Sequence, residues 1–456
     1  MAAKGKVDVA TVQLWGQLLG AVRWDSRAGL AVFEYAPKFT AGGLEVSPIR
    51  MPLRRAPYDF PALRKSEDFQ GLPGLLADVL PDHWGTALYK LWLAERGRTL
   101  ESVTPVERLC YIGSRAMGAL EFKPALDHPG ATASPVDIAE LSDFARKILN
   151  HKQGIRGTLN AKDKHALASI LRVGTSAGGN RAKAIIAVHP ETHAVVSGET
   201  QAKEPFEHWI LKFDGMGKGG SAQPQGYGRI ELAYHTMART AGIEMTDCRL
   251  WEENGRAHFM TRRFDRLKGG ARLHYQSLAA LMHLDHNLGH SYEQAFEAAL
   301  ALKLPYPDME QLFRRMVFNV AARNQDDHTK NFGFLMDPGG RWALSPAFDL
   351  TFNYNPDGQW THSHQLSVAG RHRDIGREDL LEVGDAFGIK RAKNILDEVI
   401  DAVAHWPQAA KRAGVEKARV TAVEKLLRVQ ELKAARLNSH LRHGETRRLG
   451  LRLPTE

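Results

Sequence analysis

The chain has 456 residues, of which 43% are hydrophobic and 25% are charged, which predicts a globular protein of two or three domains and excludes a wholly disordered chain. Its two cysteines, Cys110 and Cys248, exclude a disulfide framework and a cysteine-based zinc module, and they fit a reducing cytoplasm. The net charge of +9 allows an anionic partner without requiring one. No apolar run is long enough to cross a bilayer and the N-terminus lacks an apolar leader, so we expect neither a membrane segment nor a signal peptide.

The first 125 residues predict a strand-rich module. Short alternating runs at Val9–Trp15, Leu19–Trp24 and Leu30–Tyr35 are typical of strands bounded by turns. Helical spacing follows in Leu72–Gly97, interrupted by a Pro-Asp turn. The polar stretch over 126–160 then predicts a linker region.

A second strand-rich region comes next. Ala184–Val188 and Trp209–Phe213 predict buried strands, Arg229–Gly242 predicts an amphipathic helix, and His258–Phe264 predicts another strand. From about residue 270 the pattern is mostly helical. The last 47 residues carry 12 Lys or Arg against 5 Glu, and their apolar spacing predicts a basic amphipathic helix over 415–437.

The segment Asn324–Asn331, NQDDHTKN, carries the residue types that metal-assisted phosphoryl transfer needs. One carboxylate orients the attacking hydroxyl, while a second carboxylate and an amide oxygen hold Mg²⁺. Asp326 and Asn331 have the five-residue spacing of a protein-kinase catalytic loop, and Asp349 follows after two strand-like runs that predict a hairpin. Lys330 supplies a cation. When this segment is considered alone, a polar helix end followed by a solvated hairpin explains it as well as a catalytic loop does.

Three weaker signals precede that segment in an order that suits a nucleotide-clamping enzyme. The glycine-rich run Val173–Lys183 allows backbone amides to approach phosphate, although it is not a Walker A loop. Lys212 lies in an otherwise apolar strand and needs a partner, for which we expect Glu231. Thr261–Arg266, TRRFDR, predicts a hinge between two lobes, where an adenine edge would meet the backbone.

Taken together, these motifs resemble those of the HipA family of toxin kinases. The resemblance covers about residues 10–410 and rests on SAGGNRAK, ILKF, RRFDR, NQDDHTKNFGF, SPAFDL and HQLSVAG. The ADVLPDHWG and YIGSRAMGALEF segments resemble the N-terminal module of the family.

The resemblance implies an α+β protein with a two-lobed protein-kinase-like fold. The expected parts are an N-terminal HipA-type module over 1–125, a kinase N-lobe with the Gly-rich loop over 126–268, a helical C-lobe with the catalytic and metal-binding loops over 269–410, and a basic helical extension over 411–456.

The resemblance also implies ATP and Mg²⁺ as cofactors and assigns roles to individual residues. The implied roles are catalysis for Asp326 and Lys330; nucleotide binding for Ala177, Gly178, Gly179, Lys183, Lys212, Arg262, Phe264 and His328; metal binding for Asn331 and Asp349; and self-inhibiting autophosphorylation for Ser176 or the adjacent Thr175.

By the same resemblance, the chain is a serine/threonine kinase of a bacterial, cytoplasmic toxin–antitoxin module. It implies a helix-turn-helix antitoxin similar to HipB that contacts operator DNA, and a protein substrate such as an aminoacyl-tRNA synthetase. Asp327 departs from the family pattern, and we expect it to add negative charge beside the site.

Three alternatives remain open at this level. The chain could be a family member that has lost activity and serves as an antitoxin-bound corepressor. The basic C-terminal segment could indicate a nuclease or a direct nucleic-acid binder, although a solvated charged helix is the simpler interpretation. His283, Asp285, His286 and His290 could form a metal site, although histidines beside a helix end are more common without one.

Overall fold

The computed structural model describes residues 6–126, 134–150, 166–171, 181–198, 204–215 and 225–434. It confirms the predicted α+β class, with strand-rich parts first and a helical part after residue 277. Within these described ranges, no helix is both long and apolar enough to span a membrane.

The N-terminal module is a four-stranded antiparallel sheet with the order β3-β2-β1-β4. Its strands alternate buried and exposed side chains because one face packs against helices, as the sequence predicted. The strands are β1 Val9–Leu14, β2 Gln17–Asp25, β3 Leu30–Tyr35 and β4 Leu120–Lys123, and the helices are α1 Pro37–Gly42, α2 Gly74–Ala77, α3 His83–Ala94 and α4 Pro105–Ile112.

The second sheet has five antiparallel strands in the order β6-β5-β7-β9-β8. All side chains of β5 are buried, as expected for an apolar run inside a sheet. Lys183 and Lys212 lie directly opposite each other on neighbouring strands, so both side chains point to the same face. The elements are helix α5 Ile138–Asn150 and strands β5 Lys183–Val188, β6 Val195–Ser197, β7 Glu207–Lys212, β8 Cys248–Glu253 and β9 Arg256–Arg262.

The C-terminal part is helical around two small sheets. The predicted hairpin after the catalytic segment is present and pairs with a third strand. The helices are α6 Tyr227–Thr240, α7 Leu278–Met282, α8 Tyr292–Ala301, α9 Tyr306–Ala321, α10 Arg377–Ala386, α11 Ala392–Ala404, α12 Trp406–Arg412 and α13 Lys417–Glu424, and the strands are β10 His274–Ser277, β11 His290–Ser291, β12 Gly333–Met336, β13 Trp342–Leu344 and β14 Leu366–Ser367.

The basic segment is not the single helix that its spacing predicted. Helix α13 ends at Glu424, and the backbone N–H of Arg428 donates to the carbonyl of Ala321 instead of continuing the helix. Val423 and Leu432 are buried against the C-terminal helices. The described part of this segment therefore packs on the C-terminal core.

The described residues form two hydrophobic cores. The first combines the N-terminal module with the five-stranded sheet, from Ala10 through Leu211 and Met260. The second holds the apolar face of α6 together with the C-terminal helices. Because the first core is shared, the N-terminal module stands beside the sheet and provides a wall of the cleft between the two cores.

Candidate active site

A cleft lies where the N-terminal module, the five-stranded sheet and the C-terminal loops meet. Seven of the residues that the resemblance singled out line it: Lys183, Lys212, Arg262, Phe264, Lys330, Asn331 and Asp349. Asp326 and His328 belong to the same loop as Lys330 but do not line the cleft. Thr175, Ser176, Ala177, Gly178 and Gly179 lie outside the described residues.

Lys212 joins the sheet to the C-terminal loops. Its ammonium contacts the carboxylates of Glu231 on α6 and Asp349, so the predicted partner Glu231 is confirmed. Burial alone would lower the pKa of Lys212, but the two carboxylates outweigh burial and raise it above its usual value. Lys212 is therefore a cation within the cleft at neutral pH.

Asp349 is held in an unusual backbone conformation. Its φ of 55° is in the left-handed region, which costs a non-glycine residue free energy and occurs often at functional sites. Burial opposes ionisation of its carboxyl, but Lys212 lowers its pKa below the usual value. Asp349 is therefore an anionic oxygen donor in the cleft, and Lys212 contacts its Oδ1.

The loop that follows α9 is fixed by its own asparagine. Nδ2 of Asn331 donates to the carbonyl oxygen of Asp326 at 2.6 Å, which turns residues 326–331 into a compact bend. The Asp326 side chain is 45% exposed, and its Oδ1 lies 3.9 Å from Nε2 of His328. Burial lowers the pKa of His328, although Asp326 opposes this. The bend thus presents one solvent-accessible carboxylate, that of Asp326.

Asp327 does not line the cleft and is bonded within the C-terminal core. It is 1% exposed, and its carboxylate accepts hydrogen bonds from the hydroxyl of Tyr292 at 2.7 Å, from Nδ1 of His364 at 2.8 Å and from the backbone N–H of Gln365 at 2.8 Å. Asp326 therefore faces solvent, while Asp327 anchors the loop to the C-terminal core.

The hinge segment combines an apolar slot with a partly exposed arginine. The ring of Phe264 lies 5.9 Å from that of Tyr275 and 5.7 Å from that of Phe348, and all three line the cleft. Arg262 lies at the end of β9 beside Glu207 and Asp247, at 3.4 and 3.7 Å. The three rings give this part of the cleft an apolar lining that an aromatic ring can contact.

The sequence analysis missed the carboxylates that the N-terminal module contributes. Oδ2 of Asp82 lies 2.8 Å from Nζ of Lys183, while its Oδ1 caps α3 by accepting from the N–H of Gly85. Asp68 lies 2.5 Å from Nζ of Lys330. The ADVLPDHWG segment was a signal for Asp82, because Pro-Asp before an apolar helix predicts an N-cap; Asp68 had no such signal.

The four residues suggested as a metal site do not form one ligand set. Nε2 of His283 accepts from the N–H of Gly74, and Nε2 of His290 is 2.7 Å from the carbonyl of Asp285. His286 is bonded through Nδ1 to Asp68. The ligand atoms of Asp68, Asp285 and His286 lie within 4.8 Å of one another, but Lys330 places a cation on the same carboxylate, which disfavours a metal ion there.

Comparisons with known proteins agree with this arrangement. The model of the HipA N-terminal domain matches residues 10–123, and the model of the HipA-like C-terminal domain matches residues 175–406, about half of the chain. The chain is similar to the HipA chain of a complex of HipA, HipB and operator DNA from Shewanella oneidensis MR-1. That likeness has 16% identity, covers 91% of this chain and 95% of that one, and has a TM-score of 0.61, so the fold is shared.

A curated relative, the putative kinase Y4dM of Sinorhizobium fredii, is 28% identical over 157 residues. The match covers 31% of this chain and 36% of the relative, so this chain spans about a third of the length of that relative. The two family models, which together cover the module and the lobes around the cleft, establish the kinship: the chain belongs to the HipA family.

Proposed function

We propose that the chain is an ATP- and Mg²⁺-dependent serine/threonine protein kinase that acts as the toxin of a bacterial toxin–antitoxin module. The observation that carries this proposal is the pair of contacts from Lys212 to Glu231 and Asp349, at a cleft that Asn331 also lines. A strand lysine paired with a helix glutamate, together with a metal-binding aspartate, is the arrangement that protein kinases use.

The cleft has places for both ends of a nucleotide. Phe264, Tyr275 and Phe348 offer an apolar slot for the adenine ring, while Lys212 and Lys330 offer positive charge for phosphate oxygens. Hard cations prefer oxygen ligands. Oδ2 of Asp349 and the amide oxygen of Asn331 fit Mg²⁺, since the contacts of these side chains described above use Oδ1 and Nδ2.

The exposed carboxylate of Asp326 is the group that would receive the proton of the attacking hydroxyl. Its solvent access lets a protein substrate approach, and the hydrogen bond from Asn331 keeps the loop in place. Bound Mg²⁺ supplies charge neutralisation for the phosphate oxygens. Lys330 adds a cation at the end of the same loop.

The partners and the substrate that we propose are those that the family resemblance implies. The Shewanella oneidensis structure contains HipB and operator DNA, and we propose a HipB-like helix-turn-helix antitoxin for this chain, with operator DNA contacted mainly through it. The proposed protein substrate is an aminoacyl-tRNA synthetase. The proposed autophosphorylation site is Ser176 or Thr175, where a phosphate would add nearly two negative charges to the loop expected near ATP.

The test is intact mass and phosphosite mapping after incubation with ATP and Mg²⁺. We expect the wild type to gain one phosphate on the 175–176 loop and Asp326→Ala to gain none. Asp337→Asn is the matched control, because Asp337 lies in the β12–β13 turn and bonds Arg341 there; it should behave as the wild type. Ser176→Ala should lose the loop phosphate, and a phosphate that persists would identify Thr175.

An unmodified wild-type sample that gains no phosphate would contradict the kinase assignment. It would favour the corepressor alternative, in which the chain only binds its antitoxin.

A further inference from the structure

We propose that Asp68 of the N-terminal module is a positioning residue for phosphoryl transfer, which acts by holding Lys330 at the cleft. This inference rests on the proposed kinase function and adds one element to it: the N-terminal module takes part in the chemistry of the C-terminal loop.

Asp68 is itself held rigidly. Its side chain is 4% exposed. Oδ2 accepts the backbone N–H of His286 at 2.7 Å, and the carboxylate also bonds Nδ1 of that histidine at 2.6 Å. Two donors from one residue fix both the position and the plane of the carboxylate. A fixed anion of this kind can orient a flexible lysine.

Lys330 is the side chain that Asp68 positions. Its Nζ lies 2.5 Å from Oδ1 of Asp68, and its side chain is 36% exposed and lines the cleft. An ammonium group has three donors. One donor is directed to Asp68, so the other two can bind phosphate oxygens while the contact with Asp68 persists. The carboxylate therefore orients the ammonium group, and a nucleotide can bind without breaking the ion pair between Asp68 and Lys330.

The carboxylate stays charged in this setting. Burial would raise the pKa of Asp68, but the hydrogen bond from His286 and the charge of Lys330 lower it below its usual value. At neutral pH, Asp68 is therefore an anion that can hold the ammonium group of a lysine in an ion pair.

A second connection runs from Asp68 to the candidate catalytic carboxylate. The ring of His286, which Asp68 holds, packs 5.3 Å from the ring of His328. His328 in turn lies 3.9 Å from Asp326. The loop 326–331 is thus supported by Asp68 at two places, through Lys330 directly and through His286 and His328. Small displacements of reacting groups reduce rates strongly, by about 100-fold for 1 Å.

The experiment measures phosphate transfer by Asp68→Asn, Lys330→Gln and the double variant, with kcat and the KM for ATP determined separately. Asp59→Asn is the control, because Asp59 is an exposed carboxylate of the same module. We expect Asp68→Asn to lower kcat by about 10- to 100-fold and to change the KM for ATP by less than about 3-fold. The reason is that the ammonium group of Lys330, once oriented by Asp68, acts on the phosphoryl group during its transfer. In the Lys330→Gln background, Asp68→Asn should lower kcat by a smaller factor than in the wild type, because only the connection through His286 and His328 remains to be lost.

Several results would overturn the inference. These are a kcat of Asp68→Asn equal to or above that of the wild type, an effect confined to KM, or losses that multiply in the double variant. The melting temperature of each variant is measured as well, to show whether the variant is folded. Should Asp68→Asn fail to fold, the half-exposed Lys330→Gln still has to show the fall in kcat at unchanged KM. A wild type without any transfer would instead refute the kinase proposal itself, so the two failures are distinct.

Discussion

Asp265 offers a direct test of how the N-terminal module is joined to the hinge. Its carboxylate is fully buried and accepts from Nε and Nη2 of Arg263 at 2.9 and 2.7 Å, from Nη1 of Arg266 at 2.5 Å and from the backbone N–H of Gly118 at 2.7 Å. Gly118 belongs to the N-terminal module, whereas both arginines belong to the hinge. We expect Asp265→Asn to destabilise this junction.

The magnitude follows from burial. Removing one partner of a buried ion pair costs about 3–5 kcal/mol, because the remaining charge is left uncompensated. Asparagine keeps one acceptor oxygen, so we expect the lower end, about 3 kcal/mol of unfolding free energy. With an unfolding entropy of about 2.1 cal/mol/K per residue over about 400 residues, this corresponds to a fall in Tm of about 4 °C.

Urea denaturation followed by tryptophan fluorescence measures the loss, with the free energy extrapolated linearly to zero urea. The control is Asp401→Asn, which removes a carboxylate that is 61% exposed and lies 2.7 Å from Lys433. Exposed pairs contribute at most about 1 kcal/mol. Equal losses in the two variants would refute the argument from burial.

The pH dependence gives a second check on Asp265. Burial opposes its ionisation, but Arg263 and Arg266 hold its pKa well below the usual value. A lowered folded-state pKa stabilises the protein above the unfolded pKa of about 3.9, and this stability is lost as the pH falls below it. The difference between the wild type and Asp265→Asn should therefore be constant near pH 7 and shrink below about pH 4. A difference that grows on acidification would contradict this reasoning.

Two further predictions concern buried polar groups. Asp327→Ala should lower the unfolding free energy by about 3 kcal/mol or more, because three buried donors lose their acceptor. Asp326→Ala should change the unfolding free energy by less than about 0.5 kcal/mol. Urea denaturation of both variants measures the two losses, and a larger loss for Asp326→Ala would show that Asp326, not Asp327, is the buried carboxylate. His274 is fully buried, and burial lowers its pKa to about 4. Because the unfolded chain then binds the proton more tightly, stability should fall as the pH drops from about 6.5 toward 4, by about 2 kcal/mol at pH 5. His274→Gln should lose this component in urea titrations at pH 7.5 and 5, and an unchanged pH dependence would contradict the assignment.

Local pattern was sufficient to predict much of the fold. Alternating side chains predicted β1 and β3, an apolar run predicted β5, and two short strand-like runs predicted the β12–β13 hairpin. The order of the Lys212 strand, the Asp326 loop and Asp349 also indicated a phosphotransferase site before any geometry was known. These features depend on residues a few positions apart, whose periodicity reports directly which side faces the core.

Tertiary structure decided which groups meet. Asp68 reaches Lys330 across 262 positions and Asp82 reaches Lys183 across 101, so neither contact leaves a local pattern. Asp326 and Asp327 are chemically identical neighbours, and only packing against Tyr292 and His364 separates the exposed carboxylate from the structural one. The sequence by itself therefore determined the elements and the types of reacting group, while the folded chain determined their partners, because burial and ion pairing depend on distances through space and not along the chain.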